Sequence, residues 1–417
     1  MTASPSLQAP AADLLRELVR LPSVNPHLSH RAEETGEARV TDWLQRFCQE
    51  QGWAWLRQPV HPGRDNLLAV APGGADRAVL WEAHQDTVAL DGMTVDPLGG
   101  EVRDGRLYGR GACDVKGGIA AMLAAATALA EIPAARRATV WLAFTVNEEC
   151  GFSGATDLAR LWAADEGVAR QAFEQCRGSV PWAELRRRRP AGAIVSEPTG
   201  LDVVVTHRGV VRWQCLAHGR AVHSSDPGSG ANAVYAIAEA VGALRRYAGE
   251  VLARRPADPL CGGPTLCVTT IRGGRGPNTV PDLAQIDVDR RLGPHEDPSE
   301  AYADAVAFAR QAVGDCDGCV LEHAPPWLAS PGLEARNNRE WAGDVQRVAR
   351  RLGATGRIVG VPYGTNAARL AATGIPVVVF GPGSIRQAHT ADEWIDLAEL
   401  GHGARILLEA ARCVEPA

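Results

Sequence analysis

The chain has 417 residues, 46% of them hydrophobic and 22% charged, with 43 basic and 49 acidic side chains and a formal net charge of −6. That mild balance gives no electrostatic case for a nucleic acid or an anionic membrane as partner, and no apolar run reaches the ~18–20 residues that span a bilayer. At roughly 100–200 residues per domain the length fits two or three domains. The N-terminal stretch lacks the basic-then-apolar layout of a signal peptide, so the expectation is a soluble, cytoplasmic chain.

Only one of the basic residues, Lys116, is a lysine; the rest are arginine. A GC-rich coding bias accounts for the arginines and draws the eye to the one lysine. The ten cysteines are scattered without a small secreted framework. Cys316 and Cys319 form a CxxC in a Gly/Asp-rich turn with no second pair nearby, so it is read as neither a zinc ribbon nor a redox motif.

In chain order, residues 11–20 and 36–51 carry apolar positions at three- and four-residue spacing and read as helices. Short apolar runs bounded by turn residues follow at Asn66–Ala71, Ala78–Ala83, Thr139–Val146 and Ala193–Ser196, with an Ala/Leu helix at Gly117–Ala130 among them. Strands alternating with helices predict an α/β sheet with buried strands. Residues 160–192, with the run Arg186–Arg189, read as a surface excursion. Past residue 205 the rhythm changes: strands at Val210–Leu216, Leu266–Ile271 and Gln285–Val288 lie among helices at Ala231–Ala248 and Ser299–Val313. This predicts a compact α+β module inserted into the first domain. The first rhythm resumes with a helix at 333–352, the strand Pro376–Phe380 and a closing helix at 396–412.

Acidic and histidine residues recur after the predicted strands. His84 and Asp86 follow Ala78–Ala83, Asp114 follows Gly109–Cys113, Glu148 and Glu149 follow Thr139–Val146, Glu197 follows Ala193–Ser196, and His389 follows Pro376–Phe380. Each alone has an ordinary reading: a loop histidine, a solvated acidic pair, a helix N-cap. Together they put two imidazoles and four or five carboxylates at the carboxyl ends of the strands, where α/β sheets collect ligands. Crowded carboxylates repel unless cations lie between them. His84, Asp114, Glu149, Glu197 and His389 supply the ligand count for two divalent ions sharing one carboxylate, and oxygen and nitrogen donors suit zinc, cobalt or manganese. Asp86 is then free to orient His84, and Glu148, beside Glu149, to act as general base.

The segments HQDTV (84–88), GRGACDVKGG (109–118), NEECG (147–151), SEPTG (196–200), HSSDPGSGANA (223–233), NTVP (278–281) and FGPGSIRQAHTADEWI (380–395) resemble, in order, the M20 metallopeptidase family. The resemblance implies a mixed-sheet, zinc-peptidase-like α/β catalytic domain at 1–206 and 322–417. An inserted α+β, ferredoxin-like lid at 207–321 would also form a homodimer. It assigns His84, Asp114 and Glu197 to one metal and Asp114, Glu149 and His389 to the other, with Asp114 as bridge and Glu148 as base. It also implies His223 of the partner's lid as the oxyanion donor, Asn278 near the substrate, Arg291 on a substrate carboxylate, and Gly364 and Thr365 in the substrate loop.

Two departures stand out. Many relatives carry Asp where this chain has Asn366, and few have 47 residues between the two metal glutamates. The implied activity is acetylornithine deacetylase-like removal of an acyl group from a small N-acyl amino acid. Carboxypeptidase or dipeptidase action, or succinyl-diaminopimelate desuccinylase action, would use the same apparatus. The non-enzyme alternative is a ligand-binding protein on a retired hydrolase scaffold, against which the full set of ligands and Glu148 argues.

Overall fold

The computed structural model describes residues 6–412. The chain opens with α1 (Gln8–Val19) and α2 (Ala38–Glu50), then β1 (Ala54–His61), β2 (Arg64–Ala71), β3 (Ala78–His84), β4 (Glu101–Arg103) and β5 (Arg106–Tyr108). Next come α3 (Lys116–Leu129), β6 (Thr139–Thr145), α4 (Ser153–Arg160), α5 (Glu166–Glu174), β7 (Arg177–Gly178), α6 (Trp182–Arg187), β8 (Ala193–Val195) and β9 (Val203–His207). β10 (Gly209–His218), α7 (Ala233–Arg246), β11 (Thr265–Gly273), β12 (Leu283–Leu292), α8 (Pro298–Val313), β13 (Val320–His323) and β14 (Leu328–Ser330) follow. The chain closes with α9 (Arg339–Arg351), β15 (Ile358–Val361), α10 (Ala367–Ala371), β16 (Val377–Val379), β17 (Trp394–Asp396) and α11 (Leu397–Ala410). No helix among the described residues is long and apolar enough to cross a membrane.

Two compact units result: residues 1–205, 335–359 and 365–417, and residues 206–334 with 360–364. The first is built on a nine-stranded mixed sheet in the order β15-β9-β16-β8-β3-β6-β2-β1-β7. Its centre, β16-β8-β3-β6, is parallel, and β2, β1 and β7 continue it antiparallel. β3 and β6 are buried at every position, as apolar runs without alternation require of strands covered on both faces. α3 is apolar all round and nearly all buried, packed by α1 and α11 into one core with Trp81, Ala83, Leu142 and Phe144.

The second unit is a separate α+β body. β11-β12-β10-β13 form an antiparallel sheet, with β14 also paired to β10. β12 alternates buried and half-buried residues, the pattern of a sheet with one covered face. α7 and α8 supply that cover with Ala236, Ile237, Ala240, Ala301 and Ala305 against Val211, Trp213 and Ile286. Asn232 and Asp297 cap the two helices by accepting their first free N–H groups, and Pro298 occupies the first turn of α8 where its missing N–H costs nothing.

Three local expectations change. The stretch 160–192 forms α5, β7 and α6, and it buries Leu161, Trp162, Ala169, Ala172 and Leu185. Trp162 stacks edge-on against Trp141 of β6, whose indole N–H donates to the Arg188 carbonyl at 2.7 Å. Of the arginine run, Arg189 donates to the Trp162 carbonyl, so the segment is an edge of the fold and only partly a solvated face. Asp114 lies in a turn beyond the short β5, not at the end of a long strand. The predicted helix 333–352 begins only at Arg339, because Asn338 turns inward to bond Val205 O and the Val377 N–H.

Candidate active site

Four of the proposed ligands sit on turns after or beside parallel strands. His84 ends β3, Glu148 and Glu149 lie three and four residues beyond β6, and Glu197 lies two beyond β8. Asp114 precedes α3, which Gly118 lets approach closely: a Cβ there would lie 2.0 Å from the Ser196 hydroxyl, beside Glu197. His389, in the loop after β16, has a left-handed backbone with φ of 63°.

These loops bring the five residues together in two overlapping groups. One ligand atom each from His84, Asp114 and Glu197 lie within 4.8 Å of one another, and so do those of Asp114, Glu149 and His389. Asp114 divides its carboxylate between them: Oδ1 is 3.1 Å from His84 Nε2, and Oδ2 is 3.3 Å from His389 Nε2. His389 Nε2 is also 3.2 Å from the Glu149 carboxylate. His84, Asp114 and Glu197 are buried, while half of the His389 side chain is exposed.

The electrostatics are those of a site short of positive charge. Burial holds the Glu148 and Glu197 carboxyls well above their ordinary range, and Asp114 adds to both. Burial likewise raises Glu149. Hydrogen bonds to Asp114 and Glu149 push His389 up to about 10. Burial would lower His84, but Asp114, Glu148 and Glu197 outweigh it and hold that imidazole well above its usual value. Asp114 alone goes the other way: burial would raise it, yet the bonds from His389 and His84 hold it far below the usual carboxylate range. His84 Nδ1 lies 2.9 Å from the Asp86 carbonyl, which can only accept, so Nδ1 donates there and Nε2 is the ring nitrogen turned toward the Asp114 carboxylate. With these protons displaced, the grouped His nitrogens and carboxylate oxygens form a donor set that suits a divalent metal.

Asp86 has a different task from the one expected of its carboxylate. The backbone carbonyl holds His84, and the carboxylate is 3.7 Å from that ring. Its oxygens accept the N–H groups of Glu148 and Glu149 at 3.0 and 3.1 Å, so Asp86 shapes the turn that carries both glutamates. Behind it, Asn25 Nδ2 donates to Asp86 and to Asn147, and the buried Arg64–Glu37 pair reaches Asn147 from the other side. Asn25, Glu37 and Arg64 carry no motif signal. Glu393 plays the matching role for Asp114 and lies inside the quoted segment 380–395, where its position was available but its contacts were not.

Of the other predicted residues, Thr365 is buried and its hydroxyl accepts the Ala367 N–H, while Gly364 falls in the second unit. His223, Asn278 and Arg291 also belong to the second unit. His223 and Asn278 are neighbours: His223 bridges Thr279, and Ser224 N–H donates to the Asn278 carbonyl at 3.0 Å. The Ser225 N–H donates to His223 Nδ1, leaving Nε2 as the protonated nitrogen of an exposed ring. Arg291 is held by Asp289, which also binds Arg212.

Known proteins resemble this chain. A family model described as peptidase family M20/M25/M40 matches residues 80–412. An acetylornithine deacetylase of Myxococcus xanthus is 30% identical over 349 residues, covering 83% of each chain. Two solved structures share the fold: an M20 family metallo-carboxypeptidase of Sulfolobus solfataricus (TM-score 0.74, 16% identity, 96% of this chain and 98% of that one) and a dinuclear metal-binding M20 peptidase of Bacillus subtilis (TM-score 0.64, 16% identity, 97% of each). The family match spans every ligand-bearing turn from His84 to His389, and the sequence relative agrees with it. This chain therefore belongs to peptidase family M20/M25/M40 and is a metal-dependent hydrolase of amide or peptide bonds.

Proposed function

We propose that the protein is a dinuclear metal-dependent amidohydrolase that removes the acyl group of a small N-acyl amino acid, in the manner of an acetylornithine deacetylase. The observation that carries the reading is the divided carboxylate of Asp114, one oxygen facing His84 and the other His389. His84, Asp114 and Glu197 would hold one ion; Asp114, Glu149 and His389 would hold the second. Zinc is the first choice for these donors, with cobalt and manganese also suited. When bound, the ions supply Lewis acidity and lower the pKa of a coordinated water.

This chain's residues do the rest. Glu148, turned from the ligand Glu149 by adjacency on one backbone, accepts the proton of the attacking water and returns it to the leaving amine. Asp86 fixes both glutamates through their own N–H groups. His223 of the partner subunit would donate from Nε2 to the oxygen of the tetrahedral intermediate, the tautomer its bond with Ser225 supports. Arg291 would receive the substrate carboxylate beside Asp289, and Asn278 and Gly364 would line the substrate; Thr365 would support that loop from within.

Two measurements test this. Glu148→Gln is expected to lower kcat by about 10²–10⁴-fold with two equivalents of metal still bound; turnover near native overturns the assignment. A kinetic panel of N-acetyl amino acids, N-succinyl amino acids and dipeptides, run with each metal, is expected to favour the N-acetyl series. Preference for dipeptides would assign peptidase action, and two metals with no hydrolysis would assign a binding protein.

A further inference from the structure

The loops that carry Asp114 and His389 are joined by a buried ion pair that is not itself among the ligand atoms. Glu393 is fully buried, and its Oε1 accepts two consecutive backbone N–H groups, those of Cys113 at 2.9 Å and Asp114 at 3.0 Å. Its Oε2 accepts from Arg110 Nη1 at 2.7 Å. Arg110, 4% exposed, also donates to the Ala89 carbonyl and, at 3.2 Å, to the carbonyl of Thr390, the residue after His389. The Glu393 carbonyl in turn accepts the Gly109 N–H at 3.0 Å. Residues 109–114 and 389–393 are thus laced together by one carboxylate and one guanidinium.

We propose that the Arg110–Glu393 pair is the positioning device of the second metal site, setting Asp114 and His389 at the separation that site needs; this rests on the reading of both residues as ligands. A carboxylate that accepts successive N–H groups fixes the plane of the peptide between them, and so the direction in which the Asp114 side chain leaves the backbone. His389 keeps a left-handed backbone, a conformation a non-glycine residue holds only where its surroundings over-determine it. The bond from Arg110 to the adjoining carbonyl supplies that constraint. The two sites depend on the pair unequally. Two of the three residues in the second group, Asp114 and His389, lie on the laced loops, whereas in the first group only the shared Asp114 does, and the bond from Arg110 toward the His84 loop goes to the carbonyl of Ala89, five residues beyond His84.

The test is calorimetric titration of Zn²⁺ into metal-free native protein, Glu393→Gln and Arg110→Lys, with thermal melting of each metal-free protein alongside. Glu393→Gln turns an amide toward the Arg110 fork, and Arg110→Lys keeps the charge beside Glu393 while losing the fork that spans Ala89 and Thr390. In both variants the two sites are expected to weaken unequally, the more dependent one 10–100-fold, the range for lost support behind a ligand, and the other, which shares only Asp114 with the laced loops, by less. Native affinity at both sites in a cooperatively melting variant overturns the proposal, as does equal weakening of the two. If Glu393→Gln does not melt cooperatively, Arg110→Lys decides alone. Native protein that takes up no zinc overturns the ligand reading itself, an outcome distinct from native two-site binding that the variants leave unchanged.

Discussion

Glu82 lies fully buried on β3, two residues before His84, where burial pushes its carboxyl up to about 7. Its Oε1 accepts from Thr145 Oγ1 and from Asn366 Nδ2, and Asn366 donates to Thr145 as well. The amide at 366 therefore faces inward, onto β3 and β6, where it donates to Glu82; an aspartate would lose that donor and set a second buried carboxyl against Glu82. Asn366→Asp is expected to destabilise the protein by about 1–3 kcal/mol, the cost of leaving a buried polar group unmatched. Exchanging the groups in the double variant Glu82→Gln, Asn366→Asp is expected to recover most of that loss in urea melts. The ligands and Glu148 were legible because each stands in a short motif at a strand end or helix start. Arg110 and Glu393, 283 positions apart, were not, since what makes them matter is a contact that no local pattern encodes.

At the scale of elements, the strands that hold the site announce themselves by unbroken burial, and α3 by its apolar length. Shorter pieces did not: β4, β5, β7 and β17 have two or three residues each and pair only because the folded chain brings partners to them. The 160–192 segment misled for a related reason. Its charge suggests solvent, yet Trp162 is fully buried against Trp141. Trp162→Ala is expected to cost about 3–5 kcal/mol in chemical denaturation, with kcat and KM of the folded protein unchanged. A loss of activity without a loss of stability would instead make the segment part of the site.

The molecule as a whole carries two cores, and the second unit adds an acid sensitivity of its own. Burial pushes His207 and His323 down to about 4 from 6.5; His323 Nδ1 accepts from the Trp213 indole and so belongs to a neutral ring. A group whose folded pKa is depressed stabilises the fold above its unfolded value and loses that contribution as pH falls. The window here is pH 6.5 down to 4, and each histidine is expected to remove about 2 kcal/mol between pH 7.5 and pH 5. His207→Asn is expected to shrink the measured fall by about that amount; an unchanged pH dependence would mean that the ring titrates alike in the folded and unfolded states.

Lys116 bears on the whole molecule in another way. Its Nζ donates to the Leu21 carbonyl at 2.7 Å, its stem fills the space beside Gly111, and its exposure is 1%. Since it is the chain's sole lysine, the folded surface offers no side-chain amine at all. Acylating reagents, aldehyde cross-linkers and lysine-directed proteases, which find lysines on almost any protein, meet no side-chain amine here, only the α-amine for the first two, until the turn holding Asp114 comes away from the end of α1. A single atom buried next to the metal-binding turn thus reports on its opening, against a background that the sequence has already cleared.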